Sequence, residues 1–240
     1  MGASPSALTL SDSFKVTYLL QENVPLANKV LTYFINLDDR PDRRSEIESE
    51  LRRCNILGTR VPAIKYTPGI VGCAFSHIKA LEKGIADEAD HILIFEDDFY
   101  FTVDPDLATK LVQTVIQTNY DVFMLGYGIF EGSDKSLFFT SHPLFKKIIN
   151  ATCAHGYLVN KHYAHKLLQN LKEGVDLRLK TKKQRHNNDE HWKLLQEDDL
   201  WLCYSHGPLG MQREGFSDID NSMKWNDTTF VNLSLGLKQN

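Results

Sequence analysis

His91-Ile-Leu-Ile-Phe-Glu-Asp-Asp98 sets a short apolar run directly against three consecutive carboxylates. A continuous apolar segment of this length, with turn-like flanks, predicts a strand buried on both faces, as in a parallel sheet. In open α/β sheets, ligands bind outside the carboxyl ends of the strands, which is where Glu96, Asp97 and Asp98 fall. Three adjacent carboxylates repel one another. A divalent cation relieves that repulsion, and hard oxygen donors suit Mg²⁺ or Mn²⁺. The competing reading of the triplet is a solvated acidic turn.

Working upstream, Gly72 to Ile85 predicts a helix, with Ile78, Leu81 and Ile85 at spacings of three and four. Val61–Tyr66 predicts a short strand. Ile47, Leu51 and Cys54 mark a second helix, preceded by a polar turn over Asp38–Arg43 around Pro41. Val30–Leu37 reads as the first buried strand. Residues 1–28 read as a loosely attached arm, with one strand at Lys15–Leu20, and 29–240 as a single domain. Downstream, Leu107, Leu111 and Val115 give an amphipathic helix, and Asp121–Leu125 another buried strand closed by Gly126 and Gly128. This alternation predicts an open α/β sheet with right-handed crossovers. The second half is less regular: a strand at Tyr157–Val159, a helix at Lys161–Leu171, a polar loop at Lys180–His191 leading into a helix at Glu190–Gln196, and a strand at Trp201–Tyr204.

Composition narrows the function. The 240 residues carry 27 Lys and Arg against 31 Asp and Glu, a net charge of −4, with 42% hydrophobic and 24% charged residues. These are globular-protein values, and the negative balance argues against a broad nucleic-acid-binding surface. No run nears the ~18 apolar residues of a membrane span. The N-terminus lacks the basic and apolar regions of a signal peptide, so a cytoplasmic location is expected. Cys54, Cys73, Cys153 and Cys203 form no Cys-x-x-Cys pair and read as buried free thiols. There is no phosphate loop, dinucleotide fingerprint, nucleophile elbow or His-Glu-x-x-His. Trp192 and Trp201 read as core residues, with sugar stacking as the rival.

Several segments together resemble glycosyltransferase family 25, which includes lipooligosaccharide and procollagen galactosyltransferases. Tyr33-Phe-Ile-Asn-Leu-Asp-Asp-Arg-Pro-Asp-Arg-Arg44 resembles its opening strand and turn, and Gly72-Cys-Ala-Phe-Ser-His-Ile78 its helix start. Leu93-Ile-Phe-Glu-Asp-Asp98 matches its acidic motif. Gly156-Tyr-Leu-Val-Asn160, then Pro208-Leu-Gly-Met-Gln212 with Ser217-Asp-Ile219, are similar to its later segments. The short form is similar to members carried by large DNA viruses.

The resemblance implies a GT-A-like fold, that is, a Rossmann-like open mixed sheet flanked by helices. It implies inverting transfer of a hexose, galactose or glucose, from a UDP-sugar to a glycan or glycoprotein acceptor, with Mn²⁺ or Mg²⁺ as cofactor. On this reading Asn36, Leu37, Arg40, Arg44, Ser76, His77, Glu96, Asp97 and Gln212 contact the donor. Asp98 is the leading metal ligand, with Glu96 and His206 beside it. Arg43 stands with Arg40 and Arg44 as a candidate, against a solvated arginine turn. For Ser76 and His77 the rivals are a structural cap and a core histidine. Asp189 is the expected base, against a helix N-cap; Glu190, Asp198, Asp199 and Asp176 compete. The basic run Lys180–Arg185 reads first as a solvated loop and second as an attractor for an acidic acceptor. Two other functions compete with transfer: a catalytically silent nucleotide-sugar-binding protein and a metal-dependent phosphohydrolase. Nothing in the sequence bears on oligomeric state.

Overall fold

The computed structural model describes residues 29–129, 136–219 and 222–224; the expected arm at 1–28 lies outside the described residues. In chain order the elements are β1 (Val30–Asn36), α1 (Pro41–Arg53), β2 (Gly58–Pro62), α2 (Gly69–Ala86), β3 (His91–Glu96), β4 (Phe99–Phe101), α3 (Pro105–Val115) and β5 (Val122–Gly128). There follow β6 (Leu137–Phe139), β7 (Phe145–Ile148), β8 (Thr152–Asn160), α4 (Lys161–Thr181), α5 (Asn188–His191), α6 (Lys193–Gln196), β9 (Trp201–Tyr204), β10 (Gly210–Gln212), β11 (Gly215–Ser217) and β12 (Ser222–Lys224).

Eight strands form one mixed sheet in the order β2-β1-β3-β8-β5-β9-β7-β6. β2, β1 and β3 run parallel, as do β5 and β9. β8 lies antiparallel between β3 and β5. This is the expected α/β class, an open mixed sheet flanked by helices. Ile47 and Leu51 of α1 with Ala108, Leu111 and Val115 of α3 cover one face. Val71, Ala74, Ile78 and Leu81 of α2 with Leu167, Leu171 and Val175 of α4 cover the other. Burial on both faces explains why β1, β3 and β5 read as uninterrupted apolar runs.

The reversed strand has a direct consequence for the site. Phe95 pairs with Gly156, so the first residues of β8, Thr152 to His155, extend past the carboxyl end of β3. They meet Glu96 there. A separate two-stranded ribbon, β4 with β10, pairs Phe99 with Gln212 and brings a late segment to the same edge. Gly210 has to be glycine, because a Cβ there would strike Phe99 and the Tyr100 carbonyl.

Local chemistry sets several boundaries differently from expectation. α1 begins at Pro41, with no preceding turn to Arg43, because proline at the first helical position has its φ preset and no N–H to satisfy. The second strand lies at Gly58–Pro62. Ala63 still donates to the Asn36 carbonyl (3.0 Å), after which the chain leaves the sheet to reach α2, where Ile64 N–H donates to Ser76 Oγ (2.8 Å). α3 is capped by Asp104, whose carboxylate accepts from Asp106 N–H. The helix expected at Lys161–Leu171 continues to Thr181, the expected polar loop is interrupted by a single 3-10 turn at Gln184–His186 and by α5, and the helix expected at Glu190–Gln196 is split into α5 and α6 at Trp192. Trp192 and Trp201 are core residues, packed edge to face at 5.2 Å. All four cysteines are free, but only Cys54 and Cys203 are buried; Cys73 and Cys153 are partly exposed.

Candidate functional site

A cavity of about 1440 Å³ opens at the carboxyl ends of β1 and β3. Its walls come from β1, α2, β3, β8, α5 and β10.

The last residue of β1 organises one side. Asn36 is buried; its Nδ2 donates to Asp97 Oδ2 (2.7 Å) and to the Arg40 carbonyl (3.0 Å), while its Oδ1 accepts from Arg60 Nε (2.9 Å). Leu37 follows it on the cavity wall.

The last residue of β3, Glu96, is gripped from both sides. His77 Nε2 lies 3.1 Å from Oε1, and its other ring nitrogen lies 3.0 Å from the Tyr157 hydroxyl. Gln212 Nε2 donates to Glu96 Oε2 at 3.1 Å and reaches Asp98 Oδ1 at 3.5 Å. Burial pushes the Glu96 carboxyl up, but the His77 hydrogen bond, with the Arg43 charge nearby, outweighs burial and holds it below its ordinary range.

Asp97 and Asp98 share one guanidinium. Arg43 Nη1 lies 3.1 Å from Asp97 Oδ1 and 3.3 Å from Asp98 Oδ2. Burial raises the Asp97 carboxyl against Asn36 and Arg43. Asp98 is pushed up to about 7, by burial first and then by the charge of Glu96, even with Arg43 beside it. Three carboxylates facing one arginine leave this corner short of positive charge. The carboxylate oxygens are hard donors of the kind that fits Mg²⁺ or Mn²⁺, while Gln212 turns its amide NH₂ to them as a hydrogen-bond donor.

Removing Arg43 should expose that shortage. The Arg43→Met variant is expected to lose about 3 kcal/mol of stability at pH 7.5, because two carboxylates are left without their guanidinium in a buried corner. Their pKa values rise further without the guanidinium, so the deficit shrinks as pH falls and they protonate. Chemical denaturation of metal-free protein at pH 5.5 and 7.5 tests this; equal deficits at both values would refute it.

The other two arginines are placed elsewhere. Arg40 pairs with Asp42 and Asp218, and Arg44 is half-exposed and pairs with Glu48 one turn along α1. Neither lines the cavity. Ser76 does line it, yet its hydroxyl is occupied by backbone, donating to the Gly72 carbonyl and accepting from Ile64 N–H. His206 is not where a cavity cation would need it. It is exposed on the turn after β9, beside Ser205 Oγ (2.9 Å) and the Tyr204 ring, and is absent from the cavity wall.

Asp189 faces the cavity from α5. It is the second residue of that helix rather than its N-cap, and its Oδ2 accepts from Cys153 N–H across on β8 (3.1 Å). Burial raises its carboxyl above the ordinary range, and nearby Glu190 and Glu96 add to this. Among the competitors, Glu190 also lines the cavity but is ion-paired with Lys193. Asp199 holds Tyr163 and Lys166, while Asp176 and Asp198 are exposed; none of these three lines the cavity. Of the basic run, Gln184 and Arg185 reach the cavity wall.

Sequence reasoning missed Cys73, Cys153 and His155 as wall residues. His155 is buried, its ring packed where a Cβ on Gly126 would collide with it. Among the described residues neither ring nitrogen has a well-formed hydrogen bond, though the Gly210 backbone lies near, and burial lowers its pKa to about 4, leaving it neutral. The available signal was its place immediately before Gly156, one residue outside the family-like segment.

A cavity at the carboxyl ends of the strands of an α/β sheet, lined by a few converging polar groups, is where this architecture binds its ligands. The sequence matches the family model "Glycosyltransferase family 25 (LPS biosynthesis protein)" over residues 60–183, just over half of the chain. The protein is a glycosyltransferase and belongs to family 25. The matched segment contains Ser76, His77 and Glu96 to Asp98, while Asn36, Arg43, Asp189 and Gln212 lie outside it. No curated protein matches the chain in sequence. Among solved structures, a protein from STIV aligns with TM-score 0.44 and 11% identity over 81% of this chain and 92% of its own. A mannose-1-phosphate geranyltransferase from Thermus thermophilus aligns with TM-score 0.43 and 10% identity over 73% of each chain. A glycosyltransferase involved in glycosylation of the major capsid of PBCV-1 aligns with TM-score 0.42 and 9% identity over 73% of this chain and 81% of its own.

Proposed function

We propose that this glycosyltransferase moves a hexose, galactose or glucose, from a UDP-sugar to a hydroxyl of a glycan or protein acceptor, with inversion at the anomeric carbon. The observation that carries this reading is the charge imbalance of Glu96, Asp97 and Asp98 against Arg43 at the cavity wall. Glu96 and Asp98 would hold a divalent cation, Mn²⁺ or Mg²⁺. Bound there, the cation would supply Lewis-acid neutralisation of the leaving diphosphate.

The remaining work falls to side chains of the chain itself. His77 fixes one oxygen of Glu96 and leaves the other toward Asp98 and Gln212. Asn36 and Arg43 orient Asp97 behind them. Asp189 takes the acceptor proton as the hydroxyl attacks. A carboxylate raised by burial is the better base for that step, since its affinity for the proton is closer to working pH.

Thermal-shift and turnover screening of UDP-sugars with Mn²⁺ tests the proposal. One UDP-sugar at 100 times its Kd should stabilise the fold by about 2.7 kcal/mol. Slow hydrolysis of that sugar nucleotide without acceptor separates an active transferase from a silent binding protein. The absence of any stabilisation by UDP-sugars in the presence of Mn²⁺ would overturn the donor assignment.

A further inference from the structure

We propose that Cys73, His77 and Glu96 form a second, thiophilic cation site in the same cavity, suited to Zn²⁺ and sharing Glu96 with the hard-cation position.

The geometry begins in α2. Cys73 and His77 are four residues apart, so both side chains leave the same face of the helix, toward the end of β3. Cys73 Sγ lies 3.8 Å from Glu96 Oε1, and His77 Nε2 lies 3.1 Å from the same oxygen. Among the described residues these three donors form a cluster whose ligand atoms all fall within 4.8 Å of one another. Tetrahedral zinc, with Zn–S about 2.3 Å and Zn–N or Zn–O about 2.0–2.1 Å, needs its ligand atoms roughly 3.3–3.6 Å apart. The two separations to Glu96 Oε1, 3.1 and 3.8 Å, are within a few tenths of an ångström of that, and the thiol and imidazole stand no more than 4.8 Å apart, which rotation of the thiol about its Cα–Cβ bond can close.

The surroundings support each ligand. Tyr157 Oη sits 3.0 Å from His77 Nδ1 and fixes the ring plane, the role that outer-shell partners play for metal-bound imidazoles. Asn188 Nδ2 lies 3.7 Å from Cys73 Sγ and can donate to the sulfur. Gln212 anchors the second oxygen of Glu96. Three protein ligands leave the fourth position open to the cavity.

Protons balance simply. Binding replaces the Cys73 S–H bond by an S–Zn bond and releases that proton to solvent. His77 presents the Nε2 lone pair and carries its proton on Nδ1, which then donates to Tyr157 Oη. One thiolate and one carboxylate neutralise the dication. The soft sulfur distinguishes this position from the oxygen-only set at Asp98. Because Glu96 belongs to both, zinc and Mn²⁺ exclude each other; that corollary rests on the proposed function, whereas zinc binding does not.

The full chain, stripped of metal, is titrated with Co²⁺ as a spectroscopic stand-in and with Zn²⁺ against a chromogenic chelator. One equivalent should bind, with a thiolate-to-cobalt charge-transfer band in the near ultraviolet. The band should vanish and zinc affinity fall at least about 100-fold in Cys73→Ser, while Cys153→Ser keeps both. Zinc should also protect Cys73 of the unmodified sequence from alkylation, mapped by mass spectrometry, which decides the matter even if Cys73→Ser fails to fold. A wild-type titration without the thiolate band, a band that survives in Cys73→Ser, or alkylation of Cys73 at equal rates with and without zinc overturns the site. None of these readouts depends on transferase turnover.

Discussion

Asp98→Asn should abolish most transfer while leaving the fold at least as stable as before. The expected fall in metal-supported turnover is about 10³-fold, on the order of 4 kcal/mol, the scale of losing a group that stabilises developing charge. Stability should move the other way. The folded carboxyl is pushed up to about 7, well above an ordinary aspartate, by burial and by Glu96. A carboxyl with a raised folded pKa favours the folded state below its unfolded pKa and loses that contribution as pH rises toward 7. Metal-free wild type should therefore lose up to about 1.4 kcal/mol per pH unit from this residue between roughly pH 4 and 7. Asparagine removes the titration, so the variant should gain on wild type across that window. Denaturation curves at stepped pH, with turnover at saturating Mn²⁺, measure both halves. Turnover within a few-fold of wild type would sink the metal-ligand role of Asp98.

Asp189→Asn should separate binding from chemistry. The donor-induced thermal shift should remain near the wild-type value, because Asp189 is held by Cys153 N–H on the α5 side of the cavity, away from the Arg43 corner. The kcat should fall 10²- to 10⁴-fold, the usual contribution of a positioned general base. The wild-type pH profile should lose rate on its acid side as the base protonates, at a pH above the ordinary aspartate range because burial raises this carboxyl. That limb should be absent in the residual activity of the variant. If kcat changes less than fivefold, the base lies elsewhere, and Glu190 is next because it shares the cavity wall.

The strands that carry the site were legible because they are buried on both faces. Ile92 to Phe95 and Val122 to Leu125 need no neighbour to explain their composition. β8 was half visible: Tyr157 to Val159 is apolar, whereas Thr152 to His155 is mixed because it leaves the core for the cavity. β4 and β10, three residues each, exist through pairing across the fold and leave no periodic trace. β7 carries Lys146 and Lys147, which hide it among polar loops.

Asn36, His77, Glu96 to Asp98, Asp189 and Gln212 all line one cavity. The arginines were not separable in advance. Adjacent helical residues differ by about 100° in direction, so Arg43 and Arg44 part company once α1 starts at Pro41, and that start was misplaced. His206 failed for a different reason. A late histidine near Gln212 in sequence is carried out to an exposed turn, because β9 ends at Tyr204 and the chain must turn before β10.

The pairing of the acidic corner also has an order in time. Arg43, the partner of Asp98, precedes it by 55 residues, whereas Gln212 follows it by 114. On a ribosome adding about 5–20 residues per second, the second clasp emerges roughly 6–23 s after the carboxylates do. Throughout that interval the nascent chain already contains its own counter-ion. The acidic turn after β3 therefore never has to wait bare for the C-terminal half to be made.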